Sequence, residues 1–161
     1  MPGWSSSVFS PSDEDIKSIY ILFIRSLLEQ SATVWHSSLT EQDSAELERV
    51  KKSAVRIILG YRYVGYKKSL LKLGLLSLNE RREELCLNFA RKCLKNPRTE
   101  HMFPLNVKSH QMTTRNNEKY KVQYANTERF RKSSIIYMQH LLNQNEDLKE
   151  NMELSNKFRK I

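Results

Sequence analysis

The chain is poor in residues that turn or break a backbone: its 161 residues hold only four Gly and four Pro. With 39% hydrophobic and 28% charged residues, that scarcity argues against a turn-rich β architecture and for long regular helices. Long apolar runs are missing too. The longest runs from Ile19 to Ile24 and ends at Arg25 after six residues, far short of the roughly 18 that a membrane span requires. There is no basic start and no apolar stretch before Ile16, so no secretory signal is expected, and no Asn-x-Ser/Thr acceptor occurs. The only two cysteines, Cys86 and Cys93, read as free thiols of a reducing compartment. An intracellular protein is expected, with nucleus and cytoplasm left open.

The motifs of common catalytic sites are also missing. Gly-rich phosphate loops, a nucleophile elbow and a His-Glu-x-x-His zinc motif are absent. Cys86, Cys93, His101 and His110 could be drawn as a metal site, but six residues between the thiols do not pre-position two thiolates as a Cys-x-x-Cys knuckle does. Two small thiols on an apolar stripe are expected instead, with no metal, no cofactor and no small-molecule substrate. His36 and His140 stand alone in the sequence and read as packing or surface histidines.

What is present is positive charge and helical periodicity. Lys and Arg outnumber Asp and Glu by 27 to 18, a formal charge of +9, which points to a polyanionic partner. Residues 1–11, with Pro2, Gly3 and Pro11, read as a loose leader. Ser12 then caps a helix reaching to about Glu29, its hydroxyl facing the N–H of Asp15 and the acidic run from Asp13 to Asp15 lying on the positive end of the dipole. Ile16, Ile19, Tyr20, Phe23, Leu27 and Leu28 form its apolar stripe. Whether Ala32 to His36 continue or bend that helix is left open by β-branched Thr33 and Val34.

A second helix is capped by Thr40, carries the stripe Leu47, Val50, Ala54, Ile57 and Ile58, and stops at Gly60. A third covers about Tyr66 to Leu73 and ends at Gly74. A fourth runs from about Leu78 to Lys95, with Leu85, Phe89 and Cys93 flanked by Cys86, Ala90 and Leu94, until Asn96-Pro97 stops it. Residues 97–127 lack a steady period and read as an irregular connection that packs through Met102, Phe103, Pro104 and Leu105. A last core helix covers Ser133 to Leu142. The expectation is therefore an all-α fold: about five helices in one small bundle-like domain over residues 12–142, with a mobile or helical tail at 143–161.

The basic residues concentrate in the middle of the chain and alternate with aromatic rings. Arg62-Tyr63, Tyr66-Lys67-Lys68, Lys119-Tyr120-Lys121 and Arg129-Phe130-Arg131-Lys132 all show the pattern. Such alternation can neutralise phosphates while a ring stacks on an unpaired base; it also describes a solvated helix face with its rings turned inward. The candidate binding residues are Arg49, Lys52, Arg56, Arg62, Tyr63, Lys67, Lys68, Lys119, Tyr120, Lys121, Arg129, Arg131 and Lys132, with Tyr63 and Tyr120 as stacking candidates. Lys51, Lys72 and Arg115 lie in the same two stretches, 49–72 and 115–132.

Three segments carry more than composition. They are Val34-Trp35-His36-Ser37-Ser38-Leu39-Thr40, the run Leu78-Asn79-Glu80-Arg81-Arg82-Glu83-Glu84-Leu85-Cys86, and Thr127-Glu128-Arg129-Phe130-Arg131-Lys132-Ser133-Ser134. With the helices between, residues 13–143 resemble the C-terminal part of reverse transcriptases from jockey-like non-LTR retrotransposons. The resemblance implies a helical thumb and post-thumb region lying beside template RNA and growing DNA. It does not imply polymerase activity, which requires carboxylates holding two metal ions. The family supplies these from a palm, whereas the four Asp here, Asp13, Asp15, Asp43 and Asp147, are never adjacent.

Two functions follow as alternatives. One is a non-catalytic module that binds RNA or single-stranded DNA with little sequence preference. The other is a protein-interaction module that presents an apolar face to another protein or to itself, or else a truncated element's product with no selected role.

Overall fold

A computed structural model of the chain describes residues 11–106 and 118–145. It is all-α, and among these residues the only β pairing is an isolated antiparallel bridge between Leu105 and Tyr120. The leader up to residue 10, the central segment 107–117 with His110 and Arg115, and the tail from residue 146 lie outside the described residues.

Where one core was expected, the described chain has two. Residues 11–30 and 41–79 form one compact unit, and residues 31–40, 80–106 and 118–145 form a second. Each has its own cluster of buried side chains. Periodicity locates helices but not their partners, which is why the division was invisible in the sequence.

In the first unit, α1 (Asp13–Ile19) starts at Ser12 as expected. The Asp15 N–H donates to Ser12 Oγ at 3.2 Å, and the Asp15 carboxylate accepts from the Ser12 N–H at 3.0 Å. The Ser12 hydroxyl, which donates to the same carboxylate at 2.7 Å, and the Ser12 N–H together hold the Asp15 carboxyl below the usual carboxylate range. A π-helical stretch, Tyr20–Arg25, follows and leads into α2 (Ser26–Glu29). Its wider turn inserts one residue into the repeat, and Ser26 Oγ donates back to the Leu22 and Phe23 carbonyls at 2.7 and 3.0 Å. The expected stripe is corrected accordingly. Ile16, Tyr20 and Ile21 pack inward, while Ile19, Leu22, Phe23 and Leu27 face solvent.

The same unit holds α4 (Glu41–Leu59) and α5 (Tyr66–Leu73). The inward face of α4 is Lys51, Ala54, Val55, Ile58 and Leu59; Val50 and Ile57, expected in the core, are exposed, Ile57 by 70%. Ala54 and Ile58 are buried as expected, while the inward site expected of Val50 is taken by Lys51, which no hydrophobic stripe includes. Its stem is buried and its ammonium donates to the Leu76 carbonyl, so the charge stays hydrogen-bonded inside the fold. Gly74 ends α5 in the left-handed region at φ 63°, which lets the Leu75 N–H reach back to the Leu70 carbonyl at 2.9 Å. Glu48 accepts from the Tyr66 hydroxyl and, at 3.0 Å, from the Leu78 N–H that opens α6 (Leu78–Leu94).

The second unit begins where Ser31, at φ 54°, breaks the chain between α2 and α3 (Ala32–Trp35). Its core joins Cys86, Ala90 and Cys93 of α6 to Phe103, Tyr120, Met138 and Leu142. Phe89, placed in the core by periodicity, is exposed, while Cys86, Ala90 and Cys93 are buried as expected and Arg82 joins them on the inward face of α6. A short α7 (Glu128–Arg131), unforeseen in the sequence, is capped by Thr127 Oγ1, which accepts from the Phe130 N–H at 3.2 Å. The last helix, α8, covers residues 134–145 and so extends into what was expected to be tail.

The connection is fastened by two buried amides one turn apart on α8. Asn143 accepts from the Tyr120 N–H at 2.9 Å and donates to its carbonyl at 3.0 Å. Gln139 donates to the Met102 carbonyl at 2.8 Å and accepts from the Gln123 N–H at 3.1 Å. These side chains supply the partners that irregular buried backbone needs.

Candidate nucleic-acid interface

On α4, Arg49, Lys52 and Arg56 fall at i, i+3 and i+7, and all three are exposed on the side away from Val55 and Ile58. On α5, Lys67, Lys68 and Lys72 are exposed opposite Leu70 and Leu73. Between the helices, Gly60 at φ 50° opens a 3₁₀ turn, Gly60–Arg62. Arg62 lies in that turn and pairs with Asp13. Tyr63 is half-buried, packed on the core with the Arg56 guanidinium 5.3 Å from its ring centroid.

The second unit carries the rest of the sequence-derived residues. Lys119, Lys121, Arg129, Arg131 and Lys132 are exposed. Glu128 sits beside the last two, pairing with Arg131 and lying 3.9 Å from Lys132 Nζ. Tyr120 is a correction: it is only 6% exposed, a core residue whose backbone Asn143 holds, and it cannot present its ring to a base. Lys51, from the same basic stretch, is likewise inside rather than at the surface. Lys119 Nζ lies 5.6 Å from the Tyr120 ring centroid.

The two most exposed rings among the described residues are not among the sequence-derived candidates. Tyr61 is 96% exposed and Tyr124 87%. Neither belongs to an apolar stripe, and that was the signal available: an aromatic residue that no periodicity draws inward.

The Trp-His-Ser-Ser segment has a structural use in the second unit. Arg82, wholly buried, donates through Nε to His36 Nδ1 at 3.2 Å and lies 5.9 Å from the Trp35 ring centroid. A guanidinium only donates, so Nδ1 is unprotonated. The neutral ring carries its proton on Nε2, which faces the Tyr137 hydroxyl at 3.1 Å. Burial, reinforced by the Arg82 charge, pushes His36 down to about 4. Ser37 Oγ donates to the Lys132 carbonyl at 2.7 Å. The tryptophan, double-arginine and arginine-rich segments therefore meet through hydrogen bonds and ring contacts within one unit.

Elsewhere, Cys86 and Cys93 are buried, and burial with the nearby Glu83 pushes Cys86 up to about 11, far from a reactive thiolate. No cluster of three or more metal-ligating side chains exists among the described residues. A depression of about 470 Å³ lined by Glu41, Glu48, Tyr66 and Asn79 opens on the first unit, but Glu48 is engaged there in capping α6. No described helix is long and apolar enough to cross a membrane. No family model, curated protein or solved structure matches the chain.

Proposed function

We propose that this chain is a non-catalytic helical module that binds RNA or single-stranded DNA with little sequence preference, inside the cell. The observation that carries this reading is the solvent face of α4, where Arg49, Lys52 and Arg56 line up with no role in the core. Exposed cations at that spacing suit a phosphate backbone, which is recognised by charge rather than by sequence. The resemblance to the thumb and post-thumb region of jockey-like reverse transcriptases supports the same partner, as does the helical fold. Asp13 pairs with Arg62 and Asp15 caps α1, so neither carboxylate is placed for two-metal chemistry.

Titration of the purified chain with a labelled single strand at several salt concentrations tests this. With about four phosphate contacts at about −0.7 each, log K should fall against log salt with a slope near −3. Reversing Arg49, Lys52 and Arg56 to Glu should lower affinity and flatten the slope with the helical signal intact. Absence of binding by the folded, unmodified chain at low salt removes the proposal.

A second reading rests on the outer face of the first helical stretch, where Ile19, Leu22, Phe23 and Leu27 are all exposed and carry no charge. Such a face suits a protein partner better than a polyanion. Concentration-dependent association in sedimentation, lost in a Leu22→Glu, Phe23→Glu double variant, would favour it.

A further inference from the structure

Among the described residues Tyr61 is the least buried of the large apolar side chains, at 96% exposure, and it sits between two cation-bearing elements. Exposing a ring of that size has no folding benefit, since no area is removed from water. Its position is nevertheless built. Gly60, at φ 50°, ends α4 immediately before it and opens the 3₁₀ turn that carries it. The guanidinium of Arg62 lies 5.8 Å from its ring centroid, and Arg62 is itself held by the Asp13 carboxylate. Arg56 stands five residues upstream and Lys67 six downstream, both exposed.

We infer that Tyr61 is a stacking platform for an unpaired base, which makes the partner of this surface a single strand rather than a duplex. The inference rests on the nucleic-acid reading and assigns the ring role to a residue other than Tyr63 or Tyr120. An open ring offers a π-face to any base, so it adds affinity without sequence preference. A paired base keeps its faces inside the duplex stack, beyond the ring's reach. Arg62 behind the ring adds a cation to the stack, and neighbouring cations take the phosphates.

The test uses the full chain and four labelled probes at low salt: oligo(U) RNA, oligo(dT) DNA, and an RNA and a DNA duplex. The unmodified chain should bind single strands more tightly than duplexes. Tyr61→Ala should weaken single-strand binding roughly tenfold to a hundredfold, leave duplex binding and the salt slope unchanged, and leave the melting temperature unchanged. Tyr61→Trp should restore binding. A larger loss on oligo(U) than on oligo(dT) assigns the platform to RNA, and the reverse assigns it to DNA. Equal losses leave it serving both. If Tyr61→Ala binds single strands as tightly as the unmodified chain, or loses duplex binding equally, the platform is refuted while the nucleic-acid reading stands. If the unmodified chain binds none of the probes, both fall.

Discussion

The two units close their cores differently. The first packs helix on helix through Tyr20, Val55, Ile58, Leu70 and Leu73, and its buried charge, Lys51, reaches a carbonyl just past α5. The second packs helices against the irregular described segments 103–106 and 118–126, and there Gln139 and Asn143 are buried to satisfy backbone groups of Met102, Tyr120 and Gln123. A regular element brings its own hydrogen bonds and needs only an apolar face. Irregular chain brings orphaned N–H and C=O groups that the core must answer with polar side chains.

If the first core depends on apolar packing, trimming it should have the largest effect. Ile58→Ala should cost about 2–5 kcal/mol in denaturant unfolding. Ile57→Ala, one position along and 70% exposed, should stay within about 0.5 kcal/mol. Equal losses would mean that the outer face of α4 is covered in solution, which would weaken its assignment as a phosphate-facing surface.

For the second unit the sharper probe is Asn143→Leu, which keeps the branched shape and removes both bonds to the Tyr120 backbone. Leaving those groups unpaired should cost about 1–3 kcal/mol each. Hydrogen exchange should speed at the Tyr120 amide and remain slow in α4. Unchanged exchange at Tyr120 would show that the connection holds without the amide.

The residues just named explain what could be read from the sequence. Local signals served well: Ser12 capping α1, Gly60 and Gly74 ending α4 and α5, and Asn96-Pro97 closing α6 are determined within a few residues of where they act. Helix phase served poorly wherever the inward face holds something that a hydrophobic stripe leaves out. Lys51 on α4, Arg82 on α6 and the π turn after Ile19 each displaced the expected stripe. Of the candidate surface, most of the cations were legible because long charged side chains are exposed by default. The rings were not, because Tyr61, Tyr63 and Tyr120 differ only in tertiary surroundings.

Acid should separate the units further. His36 belongs to the second unit and is pushed down to about 4, against an ordinary 6.5. Below pH 6.5 the unfolded chain takes up a proton that the folded imidazole refuses until about pH 4. Stability should therefore fall across that window and level off below it. In His36→Gln this part of the fall should be missing when thermal melts are compared with the parent from pH 7 to 4. An identical fall in both proteins would mean that the ring is protonated in the fold, which the Arg82 hydrogen bond forbids.

The smallest effect expected tests whether polar groups are as dispensable in the first core as they are needed in the second. Tyr20 is buried against α4, and its hydroxyl has no hydrogen-bond partner among the described residues. Burial raises its ionisation to about 12 from an ordinary 10.0. Tyr20→Phe removes a desolvated hydroxyl and keeps the ring, so stability at neutral pH should be unchanged or higher by up to about 1 kcal/mol. Above pH 10 the unfolded phenol loses a proton that the folded one keeps until about 12, and the parent loses stability through that window. The Phe variant should lose less there. Tyr137→Phe in the second unit is the control, because that hydroxyl meets His36 Nε2 at 3.1 Å; its loss should cost about 0.5–1.5 kcal/mol. If both substitutions cost the same, the Tyr20 hydroxyl has a partner in solution, and the first core is as dependent on polar contacts as the second.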